Sequence, residues 1–299
     1  MNKIPDYLLN GWVDDKDKVE AIKSELDFPF LFQAGPEIKG TGKRKIALLH
    51  KSFDVINQRF PLRHQRTGDC VSMATALAVD VLNSSEIVFG DRQKFEHTVA
   101  TEPIYYGSRV VIGKNRIRGA GSIGAWAVKY ISQYGVLFRK KYDFDDLSVY
   151  DSSKADDWGY NKSVPKEVNE ESKKNKILNY TACECYDDVR DSIYNGYPVI
   201  VCSNRGFDRK RDNEGFAKPL GTWHHAMAFL AVDDYYKRKG VLCANSWGSD
   251  WITGPKRHGQ PDGTFWVDAK IVDYMCSRGD TWAISGFNGF KLKNNMRAV

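Results

Sequence analysis

We predict the fold from the stretch Gln65-Arg66-Thr67-Gly68-Asp69-Cys70-Val71-Ser72-Met73-Ala74. Beyond Cys70, small and apolar residues recur at three- and four-residue spacing, at positions 74, 77, 78, 81 and 82. This spacing predicts a helix with one buried face, and Asn83-Ser84-Ser85 predicts where it ends. A thiol at a helix start lies at the positive end of the helix dipole, which favours the thiolate. Cys70 is therefore a candidate nucleophile.

The composition is typical of a folded, soluble protein. The chain has 299 residues, of which 42% are hydrophobic and 27% charged, and its net charge of +6 is too mild to indicate a nucleic-acid-binding protein. We find no apolar run long enough to span a membrane and no secretory signal in residues 1–6, so we expect no membrane association. The six scattered cysteines are typical of free thiols in a reducing compartment. The expected location is the cytoplasm or the inside of an assembly such as a virion.

Helices are expected in the first half of the chain and strands in the second. Helical patterns cover 102–113, with Thr101 as its cap, and 122–135, between Ser122 and Gly135. Residues 143–176 are polar and predict a surface connection. After a short helix at 187–195, the predicted strands are 197–201, 225–232, 240–244, 264–267 and 281–284, with a basic loop at 205–211. This order predicts an α+β protein of two lobes.

A nucleophilic cysteine needs a base within hydrogen-bond reach, and the base needs a group that orients it. His225 starts a predicted strand in Trp223-His224-His225-Ala226-Met227, and Asn245 follows another in Asn245-Ser246-Trp247-Gly248. A two-lobed fold would place Cys70 on a helix of one lobe, facing His225 and Asn245 on strands of the other.

At this point the chain resembles the papain-like cysteine peptidases, in a bacterial or viral-type form that diverges around the nucleophile. The order Cys, His, Asn matches that family. Further matches are Gly121-Ser122 with the helix after it, Gln133-Tyr134-Gly135-Val136, Asn195-Gly196-Tyr197-Pro198-Val199 and Asn245-Ser246-Trp247-Gly248. The resemblance spans residues 58–285 and implies a papain-like two-lobe fold, with a helical lobe carrying the cysteine and an antiparallel, barrel-like lobe carrying the histidine and asparagine.

We expect four parts along the chain. Residues 1–57 form an N-terminal extension or arm, in which we recognise no inhibitory pro-helix. Residues 58–290 form the peptidase domain, divided into a helical lobe at 58–142, a connection at 143–176 and a β lobe at 177–290. Residues 291–299 form a C-terminal tail.

The resemblance implies a Cys-His-Asn triad. Cys70 would be the nucleophile, and His225 would act first as general base and then as the acid that protonates the leaving amine. Asn245 would hold the imidazole through its side-chain oxygen. His225 is preferred to His224 because His-Ala-Met followed by an apolar strand fits the family pattern.

The resemblance also implies substrate-binding roles. Gln65, with the backbone N–H of Cys70, would form the oxyanion hole. Gly121 and Ser122 would offer main-chain hydrogen bonds to an extended peptide, and Trp247 would shield the imidazole from water.

Two departures from the family pattern lie beside the nucleophile. Asp69 adds a carboxylate next to a thiol that must ionise, which raises the thiol pKa unless the carboxylate turns to solvent. Gln65 lies five residues before Cys70, one fewer than the family pattern, so we expect a re-routed oxyanion loop.

The expected function is that of a cysteine-type endopeptidase, a thiol protease that hydrolyses polypeptides through a thioester without metal or cofactor. Cys183-x-Cys185 lacks the second pair that a metal site would need. Two alternatives stay open. One is a weak or inactive papain-like structural or binding component of a larger assembly such as a virus particle, with the extension or the basic loops 139–141 and 205–211 as candidate partner surfaces. The other is an acyltransferase that uses the same triad.

Overall fold

The structure is a computed structural model and describes residues 5–92 and 94–293. Most of the expected tail, residues 294–299, therefore lies outside the described residues. The helices α1–α11 are Asp6–Leu9, Lys16–Lys23, Leu31–Ala34, Ser52–Val55, Cys70–Val88, Glu102–Tyr106, Gly124–Gln133, Ser152–Gly159, Glu167–Ser172, Tyr186–Tyr194 and Ala269–Cys276. The strands β1–β7 are Ile46–Leu48, Asn179–Ala182, Val199–Arg211, Ala217–Asp233, Gly240–Ala244, Thr264–Asp268 and Asp280–Ser285.

The strands form one antiparallel sheet in the order β2-β7-β3-β4-β5-β6, with β1 pairing the end of β4. The long hairpin of β3 and β4 lies at the centre, and register shifts after Ser203 bend its outer half. One large apolar core joins α5 and α7 to the sheet. The predicted α+β class is confirmed, with helices before the sheet along the chain.

Helix α5 begins at Cys70, as predicted, but the predicted end and the single buried face are wrong. The helix continues to Val88 and is buried on nearly all sides. Ser84 does not stop it, because its hydroxyl bonds back to the Val81 carbonyl at 3.0 Å and to the Ser52 hydroxyl at 2.5 Å. By length and composition α5 could cross a membrane, but its burial identifies it as a core helix.

The first of the next two helices starts at Glu102 as predicted, but neither helix has the predicted side-chain cap. The helix from Glu102 changes to a π-helical turn over 107–112, and the Thr101 hydroxyl accepts a bond from Arg139 instead of capping. Helix α7 begins at Gly124, and the Ser122 hydroxyl bonds Ser108 at 2.8 Å. The predicted cap at Ser122 is therefore wrong.

The predicted basic loop 205–211 is also wrong, since these residues continue β3. Their cations bond carbonyl groups of the neighbouring loop. The Arg209 Nε donates to the Trp251 carbonyl at 3.1 Å, and the Arg211 guanidinium donates through Nη1 to the Thr264 carbonyl at 2.8 Å. The polar connection 143–176 holds α8 and α9, which bury Trp158 in a small cluster with Ala100 and Leu137 of the helical region.

The expected arm packs along the whole molecule. Helix α2 packs against α7, and β1 joins the sheet. Between them, the backbone N–H groups of Gly40 and Gly42 donate to the buried Asp191 carboxylate of α10 at 2.7 and 2.9 Å. The division of the chain at residue 57 remains a prediction.

Candidate active site

The start of α5 meets the middle of β4 at the candidate nucleophile. The backbone N–H of Ala226 donates to the Cys70 sulfur at 3.3 Å, so the thiol lies against the residue that follows His225. The thiol is fully buried. The fold thus brings together the Cys70 and His225 segments, which are distant in sequence.

Asn245 orients the imidazole of His225. It lies directly after β5, which pairs with β4, and its Oδ1 lies 2.8 Å from His225 Nε2. The Ser246 backbone N–H donates to the same Oδ1 at 2.7 Å, which identifies that atom as the oxygen. Because an amide oxygen only accepts, Nε2 carries the proton and Nδ1 is the basic nitrogen. Nδ1 meets no described residue in full hydrogen-bond geometry, but the Leu8 carbonyl of the arm lies close enough to the ring to raise the His225 pKa.

Aromatic side chains cover this bond. The ring of Trp247 lies 4.9 Å from that of His225, and Trp223 meets both rings, at 4.7 and 6.3 Å. All three side chains are buried. Such a cover excludes water from the bond between His225 and Asn245, as the resemblance implies for Trp247.

The re-routed Gln65 is held beside the site by the segment after Asn245. Its backbone N–H donates to the Ser246 carbonyl at 2.8 Å, and its Oε1 accepts from the Ser246 hydroxyl. Its Nε2 donates to the Thr67 carbonyl at 3.0 Å. An amide nitrogen carries two hydrogens, so this bond uses one of them, and the oxyanion role of Gln65 remains a prediction.

Gly121 and Ser122 form the facing wall. The N–H of Gly121 donates to the Tyr105 hydroxyl at 2.9 Å, and its carbonyl accepts from Arg109, so both main-chain groups are bonded within the wall. Of these two residues, Ser122 is the one whose main-chain N–H and carbonyl bond a peptide segment in the cleft. The substrate-binding role of Gly121 remains a prediction, with both of its bonding groups already engaged.

That peptide is the N-terminal arm itself. Ser122 N–H donates to the Gly11 carbonyl at 3.1 Å, and Val13 N–H donates to the Ser122 carbonyl at 2.8 Å. On the opposite wall, Trp12 N–H donates to the His224 carbonyl at 2.9 Å. Both pairings are parallel bridges. Residues 10–13 therefore lie across the cleft as a short strand.

Gly11 lies directly on the thiol. A Cβ atom on Gly11 would lie 2.7 Å from the Cys70 sulfur and 2.8 Å from the Gly68 carbonyl oxygen. Both distances are shorter than any real contact, and the second partner is backbone that cannot move aside. Only glycine fits here without displacing the arm.

Burial sets the protonation of the pair. It raises the pKa of Cys70 to about 12, an effect that the Ala226 N–H opposes and that Asp69 adds to only when its carboxyl is ionised. It lowers the pKa of His225 to about 4, against the raising influence of Asn245 and the Leu8 carbonyl. In this covered state the pair is a neutral thiol and a neutral imidazole, since no water solvates the ions.

Asp69 does not turn to solvent. Its carboxylate is fully buried and accepts from the Tyr150 hydroxyl at 3.0 Å, while its Oδ1 has no partner among the described residues. Burial raises the pKa of Asp69 to about 8, which the Tyr150 bond opposes. Near neutral pH the carboxyl is therefore largely protonated and adds little negative charge beside Cys70.

The sequence patterns missed three parts of this site. Residues 10–13 showed no pattern that links them to Cys70. Ser246 lies inside the Asn-Ser-Trp-Gly motif but its bond to Gln65 depends on the fold. The third is Asp280, a buried carboxylate that accepts a hydrogen bond from the arm.

Comparison with known proteins rests on structure, since no protein-family model and no curated protein sequence matches the chain. Xylellain, a cysteine protease from Xylella fastidiosa, matches with a TM-score of 0.57 at 16% identity, over 95% of this chain and 98% of xylellain. The fold is papain-like. Digestive procathepsin L 3 of Tenebrio molitor matches at 13% identity and a TM-score of 0.48, over 80% of this chain and 69% of its own. ProCathepsin B S9 from Trypanosoma congolense matches at 14% identity and a TM-score of 0.48, over 78% of this chain and 75% of its own. At these identities the papain-like match describes the fold, and the chemistry has to be argued from the residues.

Proposed function

We propose that this papain-like protein is a cysteine peptidase that hydrolyses polypeptides through Cys70, His225 and Asn245. The observation that carries the proposal is the 2.8 Å contact between His225 and Asn245. The residue after His225 in the same strand, Ala226, donates its backbone N–H to the Cys70 sulfur. This arrangement places the imidazole one residue before the group that donates to a thiol at a helix start, and nucleophilic catalysis by cysteine requires such a base within reach of the thiol.

The reaction would proceed in two stages. His225 Nδ1 takes the thiol proton as the Cys70 sulfur attacks the scissile carbonyl carbon, and the oxyanion is bonded by the Cys70 N–H and the second Gln65 amide hydrogen. The C–N bond then breaks, His225 returns the proton to the leaving amine, and a thioester remains. His225 next activates a water molecule that hydrolyses the thioester, which releases the acid and restores the thiol.

The described conformation is a resting state in this proposal. Residues 10–13 occupy the place of a substrate, and the buried pair is neutral. Displacement of the arm would admit water and substrate together, and solvation would favour the thiolate and imidazolium. Hydrolysis therefore requires the arm to leave the cleft.

The test compares hydrolysis of unfolded casein by four full-length chains at pH 7. These are the native chain, Gly11→Ala, Gly11→Ala with Cys70→Ala, and Gly11→Ala with Cys185→Ser. We expect activity in Gly11→Ala and in its Cys185→Ser derivative, because Cys185 is a half-exposed thiol before α10, outside the site. The Cys70→Ala derivative should be inactive. Hydrolysis that survives the loss of Cys70 would refute the proposal.

One observation favours an inert scaffold instead, namely the fully covered thiol with its raised pKa. A scaffold would keep this protection when the arm is disturbed. If Gly11→Ala neither hydrolyses casein nor reacts with iodoacetamide faster than free cysteine at pH 7, the scaffold replaces the peptidase.

A further inference from the structure

Asp280, the first residue of β7, holds a fully buried carboxylate at the base of the cleft wall. Three donors from the fold bind it. The backbone N–H groups of Gly124 and Ala125, at the start of α7, donate at 2.8 Å each, and the Trp282 Nε1 donates at 2.6 Å. These bonds fix the position of the carboxylate, because all three donors belong to core elements.

The fourth donor comes from the arm. Trp12 Nε1 donates to Asp280 Oδ2 at 2.8 Å, and its side chain is only 2% exposed. The indole stacks on the His224 ring, with 6.0 Å between centroids and an angle of 26° between planes. The Trp12 side chain thus occupies a pocket with the flat ring of His224 at one side and the Asp280 carboxylate as a hydrogen-bond acceptor at its base.

The acceptor makes the pocket selective once the arm has left. Oδ2 then loses one of its two donors while Gly124 still holds it in place. A buried acceptor left without its partner costs about 1–3 kcal/mol, so an occupant that replaces the N–H is favoured over one of equal shape that does not. The four N–H groups that donate to Asp280 are neutral, and burial and the nearby Asp280 charge raise the pKa of the adjacent Cys202 thiol, which is therefore neutral too.

We infer that this pocket recognises a tryptophan side chain of peptide ligands, with Asp280 as the specificity-determining residue. The indole combines a flat ring for His224 with an N–H for Oδ2, and phenylalanine supplies only the ring. The inference deepens the proposed function by naming a side chain that its substrates would carry. It rests on the proposed function only for the claim that the bound peptide is also hydrolysed. Binding itself needs no reaction at Cys70.

The experiment uses the full chain with Trp12→Ala, which vacates the pocket, and Cys70→Ala, which prevents cleavage. The probe is a fluorescein-labelled peptide with the sequence of residues 8–15, Leu-Leu-Asn-Gly-Trp-Val-Asp-Asp, followed by fluorescence anisotropy. Three further peptides replace its tryptophan by benzothienylalanine, phenylalanine or arginine. Benzothienylalanine is the matched control, because sulfur replaces the indole N–H at almost the same shape.

We expect the tryptophan peptide to bind about 10-fold more tightly than the benzothienylalanine peptide, within a range of roughly 5- to 150-fold. The truncated arm still competes for the cleft, but it weakens all four peptides equally and leaves their ratios unchanged. Equal binding of these two peptides, tighter binding of the arginine peptide, or no saturable binding up to 1 mM by a chain with a native circular dichroism spectrum would each overturn the inference.

Asp280→Asn in the same background tests the protein side and should remove the preference for tryptophan over benzothienylalanine. This substitution also touches the start of α7, so the comparison of ligands stands independently of it. The inference and the proposed function fail separately. Binding is measured without a nucleophile, and a tryptophan preference would persist even if Cys70 proved inert in the casein assay.

Discussion

At the scale of single residues, Gly11 decides how closely the arm approaches the nucleophile. Its missing Cβ lets the backbone lie on the Cys70 sulfur, with the Gly68 carbonyl behind it. A glycine before a tryptophan carries no sequence signal for such a contact. The reason for this residue type becomes visible only when the two segments are placed together.

Gly11→Ala should expose Cys70. The added methyl group overlaps the sulfur and a carbonyl oxygen, and overpacking of this kind costs about 1–3 kcal/mol, which weakens arm binding by 5-fold or more. We expect the rate of iodoacetamide labelling of Cys70 at pH 7.5, measured by peptide mass spectrometry, to rise about 10-fold.

Gly119→Ala is the control, because no atom lies within 4 Å of the methyl group it would add. Its labelling rate should equal that of the native chain. An unchanged rate in Gly11→Ala would show that the arm does not limit access to the thiol.

Asp69 makes stability depend on pH in a direction opposite to that of most carboxylates. Its folded pKa of about 8 lies above the ordinary value of 3.8, so the folded state binds the proton more tightly. Stability from this group is complete below pH 4 and is lost as the pH rises to 8. Asp69→Asn cannot ionise and suffers no such loss.

We therefore expect the free energy of unfolding of Asp69→Asn, relative to the native chain, to increase between pH 4.5 and 8.5 by an amount on the order of a few kcal/mol. Urea unfolding at both pH values measures it. Asp27→Asn, at an exposed aspartate, should show a much smaller change. A difference that stays constant with pH would contradict the buried, protonated state of Asp69.

At the scale of elements, helix α10 anchors the loop between β1 and the short 3₁₀ turn that covers Pro36–Ile38. The sequence Gly40-Thr41-Gly42-Lys43 invites a phosphate-loop interpretation, which its spacing does not support. The structure shows a carboxylate in contact with these amides, since Asp191 accepts from Gly40 and Gly42 and pairs with Arg190 at 2.9 Å. The two backbone amides thus bind a carboxylate of the protein itself, and these bonds attach the arm to α10.

Asp191→Ala should destabilise the protein by about 3 kcal/mol, because it leaves two amides without their acceptor and removes the buried one of the two carboxylates that pair with Arg190. Hydrogen exchange of residues 40–45 should quicken more than that of α5. Asp187→Ala is the control on the same helix, since its exposed carboxylate also contacts Arg190 and should cost less than 1 kcal/mol. Equal effects of the two substitutions would refute the anchoring role.

At the scale of the whole molecule, a buried ion pair connects three parts of the helical lobe. Arg63, before the Cys70 loop, pairs with Asp80 in the middle of α5 and donates to the Val99 carbonyl at 2.9 Å. Asp80 in turn accepts from the Val99 N–H at 2.8 Å. Because Arg63 lies two residues before Gln65, these bonds hold the segment that carries Gln65 against α5.

Asp80→Asn should lower the free energy of unfolding by about 3–5 kcal/mol, because the Arg63 cation remains buried without a counter-charge. Thermal and urea unfolding both measure the loss. Asp54→Asn, in the exposed pair with Lys51, should cost less than 1 kcal/mol. A small effect at Asp80 would mean that water reaches Arg63.

The extent of prediction differs between local and distant features. The start of α5 at Cys70 and the strand at 240–244 are correct, because each depends on residues a few positions apart. The end of α5, the Ser122 cap and the loop at 205–211 are wrong, because partners far along the chain take over. Asp280 caps α7 in place of Ser122, and a neighbouring loop binds the cations of β3.

By itself the sequence determined the α+β class, the order of the candidate residues and the helix start that carries Cys70. These follow from hydrophobic spacing and from short motifs, which act over a few residues. The tertiary structure alone decided that residues 10–13 cross the cleft, that Asp280 holds Trp12, and that burial keeps the thiol and imidazole neutral. Each of these depends on which groups distant in sequence come into contact and exclude water. Patterns over a few neighbouring residues do not determine such contacts.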